Sequence, residues 1–145
     1  MDRVCTIMEK TGTMKLAQKM ISQISGGEFQ RVIIARALAQ QPRVLFMDEA
    51  FSELDICAKL DCIRLLRKLI EEEGLSVIAV MHDINTAYSF SDRVLAVKNG
   101  KIEGYGPPGE LMTEEFMHDV FRIHVEVVQN KGFFFSVHQA GNHKD

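Results

Sequence analysis

Three stretches of the chain are apolar at nearly every position and have the length of β-strands. They cover residues 44–47, 75–81 and 94–97. A strand that is apolar on both faces is typical of a parallel sheet with helices packed on both sides. The pattern therefore predicts three strands that are buried on both faces.

Helical periodicity separates these stretches. Apolar residues recur every three or four positions in two stripes, which consist of Phe29, Val32, Ile33 and Ala37, and of Leu60, Ile63, Leu66 and Ile70. Ser25 and Asp55 stand where they can cap the two helices, and Gly74 can end the second. A shorter helix is predicted over residues 84–90. The alternation of strands and helices indicates the α/β class.

The last third of the chain has a different pattern, with turn signals in place of the alternation of buried strands and helices. Asn99-Gly100 predicts a hairpin turn into a strand at residues 101–105. A Gly-Pro-Pro-Gly break follows at residues 106–109. A helix capped by Thr113 and a second hairpin over residues 125–137 come after it. We therefore divide the chain into a main part, residues 1–106, and a helix-hairpin extension, residues 107–145.

Composition and charge narrow the function classes. The 145 residues are 46% hydrophobic and 26% charged, which are values of a globular domain. The net charge of −3 disfavours a surface dedicated to nucleic acid. No apolar run reaches the roughly 18 residues that a membrane span needs, and no secretory leader is recognisable. We expect any membrane role to come through a partner.

Cysteine and histidine spacing predicts neither a disulfide framework nor a metal centre. Cys5, Cys57 and Cys62 are odd in number and form no Cys-x-x-Cys pair, which favours reduced thiols. The five histidines match no zinc-binding spacing.

Two acidic residues, Asp48 and Glu49, directly follow the first apolar strand. Ligands of open α/β sheets bind at the carboxyl ends of the strands. One or two carboxylates together with phosphate oxygens suit Mg²⁺, and a second acid can orient or deprotonate a water molecule. An acidic pair after a strand also serves as a helix cap, and this alternative stays open.

Residues 25–28 read Ser-Gly-Gly-Glu at the start of a predicted helix. Exposed N–H groups, small residues and the helix dipole favour a phosphate there. A plain capping box between Ser25 and Glu28 is an equal alternative. His82 follows the second apolar strand, where it can contact a phosphate or remain an ordinary surface residue.

Taken in order, these motifs resemble one family. Residues 24–31, 34–38, 45–50, 52–55 and 81–83 are similar to the ATPase subunits of ABC transporters, which have a P-loop NTPase fold. The resemblance implies ATP and Mg²⁺ as cofactors. It implies a signature motif that faces ATP on a partner subunit and consists of Ser25, Gly26, Gly27 and Glu28. It implies that Asp48 binds Mg²⁺, that Glu49 acts on the hydrolytic water and that His82 contacts the γ-phosphate. It also implies a D-loop at the dimer interface, formed by Ser52 and Asp55.

Two features depart from the family pattern. Glu28 stands where many members carry Gln, and we expect its carboxylate to turn back to the helix cap. The phosphate-binding Gly-x-x-x-x-Gly-Lys-Ser/Thr motif is absent, because the one Gly-Lys pair, Gly100-Lys101, precedes Ile102 and lies in a predicted hairpin. The resemblance therefore implies the C-terminal part of the fold without its P-loop strand, and a chain that is inactive by itself.

Further stretches point to a subgroup and leave alternatives. Residues 81–88, 91–94, 98–102 and 106–111 are similar to importer subunits for iron chelates, haem and cobalamin. That likeness implies a homodimer with a second ATPase subunit, transmembrane permease subunits as partners, and a cytoplasmic location at the inner face of the cell membrane, with no nucleic acid. The alternatives are an ABC-type ATPase of a DNA-repair or ribosome-associated machine, and a non-catalytic regulatory fragment.

The missing strand has a consequence for assembly. In the family topology the P-loop strand lies between the strands at residues 75–81 and 94–97. Its absence would leave a slot bordered by apolar strands. Either these strands pair directly, or a strand of a second copy enters. We expect intermolecular pairing, which gives a strand-exchanged oligomer.

Overall fold

The computed structural model describes residues 3–123 and Val125, and the chain forms two compact units that divide between Val80 and Met81. The first unit contains helices α1 (Arg3–Lys10), α2 (Gly26–Leu38) and α3 (Ile56–Glu73), and strands β1 (Val44–Asp48) and β2 (Ser76–Val80). Two 3-10 turns, Met14–Leu16 and Ile21–Gln23, lie between α1 and α2.

Strands β1 and β2 are parallel, with a register that runs from Val44 opposite Ser76 to Asp48 opposite Val80. Helix α3 is the crossover that a parallel pair requires, and it packs against α2 and β2. Its buried residues are Cys62, Ile63, Leu66 and Leu69. This arrangement confirms an α/β fold with helices beside a parallel pair of strands.

The second unit contains α4 (Ile84–Phe90), β3 (Val94–Lys98), β4 (Lys101–Gly106), α5 (Pro108–Leu111) and α6 (Glu114–Phe121). Strands β3 and β4 are antiparallel, and the turn between them has φ values of 49° at Asn99 and 73° at Gly100. Positive φ at both central residues is what the Asn-Gly pair predicts. Met112, Met117 and Val125 form the buried core of this unit.

The local signals in the sequence are largely confirmed. Ser25, Asp55 and Thr113 cap α2, α3 and α6 through their side chains. Gly74 ends α3 with a left-handed φ of 65°. Helix α2 ends at Leu38, two residues before the predicted end. The second hairpin, predicted over residues 125–137, lies outside the described residues apart from Val125.

The predicted burial of the strands on both faces is wrong for this chain. In β1, Leu45 and Met47 are buried, whereas Phe46 is 74% exposed. Ile78 and Val80 of β2, and Leu95 and Val97 of β3, are each more than half exposed. The burial alternates because the described helices cover only one face of each strand pair. The apolar residues of the other face are left in contact with solvent.

The strands form two separate two-stranded sheets. Within residues 3–123, β2 pairs with β1 alone and β3 with β4 alone. Each of these sheets lies within one of the two units, and the outcome expected for the missing strand stays a prediction. Residues on both sides of Pro107 pack on the core of the second unit, and a functional boundary between residues 106 and 107 stays a prediction.

Candidate functional site

Ser25 begins α2 in the geometry that its sequence predicts. Its backbone is extended, with φ −72° and ψ 163°, and its hydroxyl oxygen accepts a hydrogen bond from the N–H of Glu28 at 3.2 Å. The Glu28 carboxylate in turn accepts from the N–H of Ser25 at 3.1 Å. This reciprocal pair is a capping box, and it confirms that Glu28 turns back to the helix cap.

The capping box leaves two donors at the start of α2. Among the described residues, the N–H groups of Gly26 and Gly27 have no hydrogen-bond acceptor. Such N–H groups at a helix N-terminus, together with the helix dipole, attract anions. The helix start therefore has a capping box and two N–H groups without an acceptor among the described residues, one of them on the buried Gly27. A phosphate site at this place stays a prediction.

Gly27 lies against the first turn of α3. A Cβ atom on Gly27 would come within 2.7 Å of the Ala58 Cβ atom, whereas one on Gly26 would meet only Leu54 Cδ2, at 3.6 Å. Leu54 and Ala58 were not among the predicted site residues, since nothing in their own sequence neighbourhood signals a contact with residues 26 and 27. The structure thus brings the predicted signature motif and the predicted D-loop side by side.

Glu28 also pairs with Lys15, whose ammonium nitrogen lies 3.3 Å from the carboxylate. The hydrogen bond from the backbone of Ser25 lowers the pKa of the Glu28 carboxyl below its usual value, and Lys15 lowers it further. The carboxylate is therefore held in its charged form by the helix cap and by a cation.

The acidic pair lies at the carboxyl end of β1. Asp48 is the last residue of the strand, opposite Val80 of β2, and both Asp48 and Glu49 are exposed. Glu49 has a positive φ of 48°, a conformation that costs energy for a residue with a side chain. Its carbonyl oxygen accepts from the N–H and from the hydroxyl of Ser52, at 3.1 and 2.9 Å. This turn fixes the direction in which the chain leaves the sheet.

Asp55 lies between that turn and α3. Its carboxylate accepts from the N–H of Ala58 at 2.9 Å, which makes it the N-cap of an 18-residue helix. The predicted D-loop residues Ser52 and Asp55 therefore each have a structural role in the connection from β1 to α3.

His82 is exposed and belongs to the second unit, two residues after the end of β2. Its neighbour Asp83 caps α4 and accepts from the N–H of Asn85 at 3.1 Å. The other predicted site residues, 25–28, 48, 49, 52 and 55, all lie in the first unit.

Asp48 and Glu49 offer hard oxygen donors at an exposed strand end, which fits the one or two carboxylates that Mg²⁺ takes alongside phosphate oxygens. In residues 3–123, three or more His, Cys, Asp and Glu side chains do not gather into a metal-binding group. The donors present therefore fit part of a Mg²⁺-nucleotide site, and the phosphate-holding loop is absent from the sequence.

The three cysteines differ in exposure. Cys57 is exposed on the first turn of α3, Cys5 is half-buried, and Cys62 is buried. Burial raises the pKa of the Cys62 thiol, so this side chain behaves as a small apolar group. None of the helices in the described residues is both long enough and apolar enough to cross a bilayer.

Comparison with known proteins identifies the relatives of this chain. Residues 1–52 match the family described as ABC transporter. The petrobactin import ATP-binding protein FpuC of Bacillus anthracis is 42% identical over 118 residues, which is 80% of this chain and 43% of FpuC. The iron(3+)-hydroxamate import ATP-binding protein FhuC of Bacillus subtilis is 39% identical over 83% of this chain and 45% of its own length.

Solved structures share the fold. A metal-chelate type ABC transporter in an inward-facing conformation superposes with a TM-score of 0.81 at 23% identity, over 92% of this chain and 54% of that one. The protein cbiO1 of Clostridium perfringens, part of the ABC transporter complex cbiONQ, gives a TM-score of 0.72 at 31% identity, over 81% and 47%.

The chain spans about half the length of the relatives it matches. The matched sequence and the shared fold nevertheless agree with each other and with the order of the motifs. The chain belongs to the family of ABC transporter ATP-binding proteins and is related to those named for iron-chelate import.

Proposed function

We propose that this chain is the C-terminal half of the ATP-binding subunit of an ABC importer for iron chelates or related metal-containing nutrients. The observation that carries the proposal is the start of α2, where a capping box leaves the N–H groups of Gly26 and Gly27 open beside the turn that follows Asp48 and Glu49 in sequence. The names of FpuC and FhuC support import over the nucleic-acid alternative.

Each side chain then has a role that its position suits. The N–H groups of Gly26 and Gly27, with Ser25 and the helix dipole, would bind the terminal phosphate of ATP held by a second subunit. The exposed Asp48 would hold Mg²⁺, and the Glu49 carboxylate would accept a proton from the attacking water. His82 would donate a hydrogen bond to the same phosphate. ATP with Mg²⁺ supplies the reactive phosphoryl group when bound.

The proposed partners follow from the proposed role. A second ATPase subunit would meet this one at Ser52 and Asp55, and transmembrane permease subunits would hold the pair at the cytoplasmic face of the membrane. The chain contains no phosphate-binding loop, and electrostatic positioning by such a loop supplies most of the catalysis in phosphoryl transfer. The chain alone is therefore expected to hydrolyse no ATP above background and to bind Mg·ATP weakly at best.

A chimera tests the proposed function. The 118-residue stretch of FpuC that matches this chain is replaced by the corresponding stretch of this chain, and Mg²⁺-dependent ATPase activity is measured. We expect an active chimera in which Glu49→Gln loses about 10²–10⁴-fold in turnover while ATP binding persists, because an amide cannot take the proton. Glu71→Gln, which changes an exposed acid near the end of α3, is the control and should retain activity.

Two results would contradict the assignment of these roles. The first is a Glu49→Gln chimera that keeps most of its turnover. The second is a Ser25→Arg chimera with an unchanged ATPase rate, since an Arg side chain would occupy the space that a phosphate must enter. ATP affinity in the micromolar range for the unmodified chain, measured by calorimetry, would overturn its proposed inactivity.

We further propose that the isolated chain completes its sheet by pairing with a strand of a second copy. The support is that β2 and β3 each have one strand neighbour among the described residues and an exposed apolar face.

A further inference from the structure

The first unit contains a cleft of about 450 Å³ on the side away from the acidic pair. One face of α1, the end of α2 and the end of α3 surround it, and Arg43 and Leu75, which lie just before β1 and β2, contribute to its wall. The cleft therefore lies at the amino ends of the two strands, whereas Asp48 and Glu49 lie at the carboxyl end of β1. It is separate from the proposed nucleotide site.

The floor of the cleft is apolar. Ile7, Leu38, Leu69 and Leu75 line it, and the last two are buried to 4% and 5% exposure. Volumes of this size are typical of pockets that hold small organic molecules. The floor is thus suited to an aliphatic group.

The rim of the cleft is cationic. Arg3, Lys10 and Arg43 line it together with a single acid, Glu73. The rim has a formal charge of +2, although the whole chain has a formal charge of −3. A concentration of positive charge on an acidic chain favours an anionic ligand at this place.

Two of the three cations already have partners. The Lys10 ammonium nitrogen lies 2.5 Å from the Glu73 carboxylate, which neutralises that acid. The Arg3 guanidinium donates to the carbonyl oxygen of Ala39, at the end of α2, and so offsets the negative end of that helix dipole. The Arg43 guanidinium has no hydrogen-bond or ion-pair partner among the described residues, although a guanidinium can bind a carboxylate through two parallel hydrogen bonds.

We propose that this cleft binds a small amphipathic carboxylate, with its aliphatic chain on the floor formed by Ile7, Leu38 and Leu69 and its charged group on Arg43. The cleft contributes both parts of the affinity, because the floor removes apolar surface from water and the guanidinium pairs with the anion. The cleft shares no residue with the proposed nucleotide site. The test of carboxylate binding is therefore independent of the proposed ATPase role.

The test uses the full chain with octanoate as the probe, measured by calorimetry and by chemical-shift changes at Ile7 and Leu69. Acetate lacks the chain, and octanol lacks the charge. We expect saturable binding of octanoate that is at least about tenfold tighter than that of either analogue. Arg43→Gln should weaken octanoate binding by about tenfold. Arg36→Gln, which removes an exposed Arg of α2 that does not line the cleft, should leave it unchanged.

Thr6→Leu is a second variant, which retains every charge and fills the cleft from α1. It should abolish octanoate binding while the folding transition is retained. The proposal is overturned if octanoate shows no saturable binding, if octanol or acetate binds equally well, or if Arg43→Gln and Arg36→Gln weaken binding to the same extent. Binding to oleate-containing vesicles without binding to monomeric octanoate would also overturn it, because that result assigns the membrane surface and not the cleft.

Discussion

At Gly27, the need for a residue without a side chain comes from packing. A Cβ atom there would meet the Ala58 Cβ atom at 2.7 Å, closer than two carbon atoms can approach without displacement. Gly27→Ala should therefore lower the free energy of unfolding by about 1–3 kcal/mol, although Ala is the better helix former. Urea denaturation of the chain measures this.

Two variants separate crowding from other effects of the substitution. Gly26→Ala places a Cβ atom in ordinary contact with Leu54, at 3.6 Å, and should be neutral or slightly stabilising. Ala58→Gly introduced together with Gly27→Ala returns the missing space and should recover part of the loss. A Gly27→Ala variant that is as stable as Gly26→Ala would show that the α2–α3 contact is looser than the structure has it.

Glu28 gives a pH-dependent contribution to stability. The pKa of its carboxyl is lower in the folded chain than the usual value of about 4.3. A lowered folded-state pKa means that the stabilisation is complete above the unfolded pKa and is lost as the pH falls through the folded pKa. Glu28→Gln keeps an acceptor for the N–H of Ser25 but removes the charge. The variant should therefore be less stable than the parent at pH 7.

The difference in the free energy of unfolding between the parent and Glu28→Gln should shrink as the pH falls below about 4. Denaturant titrations at several pH values measure this difference. Glu103→Gln, which changes an exposed acid on β4 without a hydrogen-bond or ion-pair partner among the described residues, is the control and should show no such convergence. A difference between parent and Glu28→Gln that is the same at pH 7 and at pH 3 would contradict the assigned charge effect.

The capping box at Ser25 could be predicted because Ser and Glu three residues apart satisfy each other's backbone N–H groups locally. The contact of Gly27 with Ala58 could not, because it joins residues 31 positions apart and depends on how α2 packs on α3. The positive φ of Glu49 was also unpredictable, since Glu has no intrinsic preference for that conformation.

At the scale of the element, α3 depends on the N-cap residue that precedes it. The Asp55 carboxylate accepts from the N–H of Ala58 at 2.9 Å and satisfies one of the unpaired donors at the start of an 18-residue helix. Asp55→Ala should lower the free energy of unfolding by about 1 kcal/mol. Asp55→Asn keeps the acceptor and should lower it by only about a few tenths of a kcal/mol. Thermal and urea unfolding measure both. Equal losses for the two variants would contradict the cap as the cause.

Element boundaries were predictable where a cap or a turn marks them, as at Thr113 and at Asn99-Gly100. The burial of each strand face was not. Apolar residues at positions 44–47 predict cover on both sides of β1, yet Phe46 is 74% exposed while its neighbours Leu45 and Met47 are buried. A hydrophobic pattern indicates which faces of a strand are apolar enough to be buried. It does not indicate whether a helix packs on each face, and the described helices pack on one face only.

At the scale of the whole molecule, the exposed face of β1 and β2 leaves three large apolar side chains of the first unit in contact with solvent. Phe46, Ile78 and Val80 are 74%, 53% and 51% exposed, and Phe46 lies opposite Ile78 in the register. Burial of each such side chain is worth roughly 1.5–3 kcal/mol. Together they are comparable with the whole stability of a small domain, about 5–15 kcal/mol. β2 also has one edge without a strand neighbour in the described residues.

These features predict that the isolated chain self-associates through β2. Light scattering over a concentration series should give a dimer or larger species, and hydrogen exchange should protect the β2 amides in proportion to the associated fraction. Ile78→Lys should shift the association to higher concentration, because it places a charge on the apolar face of β2, beside the strand that would pair with it. Met20→Lys changes a residue that is 71% exposed and outside the strands, and it should have no effect. A chain that remains monomeric at all concentrations while β2 amides exchange rapidly would rule out strand pairing between copies, since a closed β2 edge must slow that exchange.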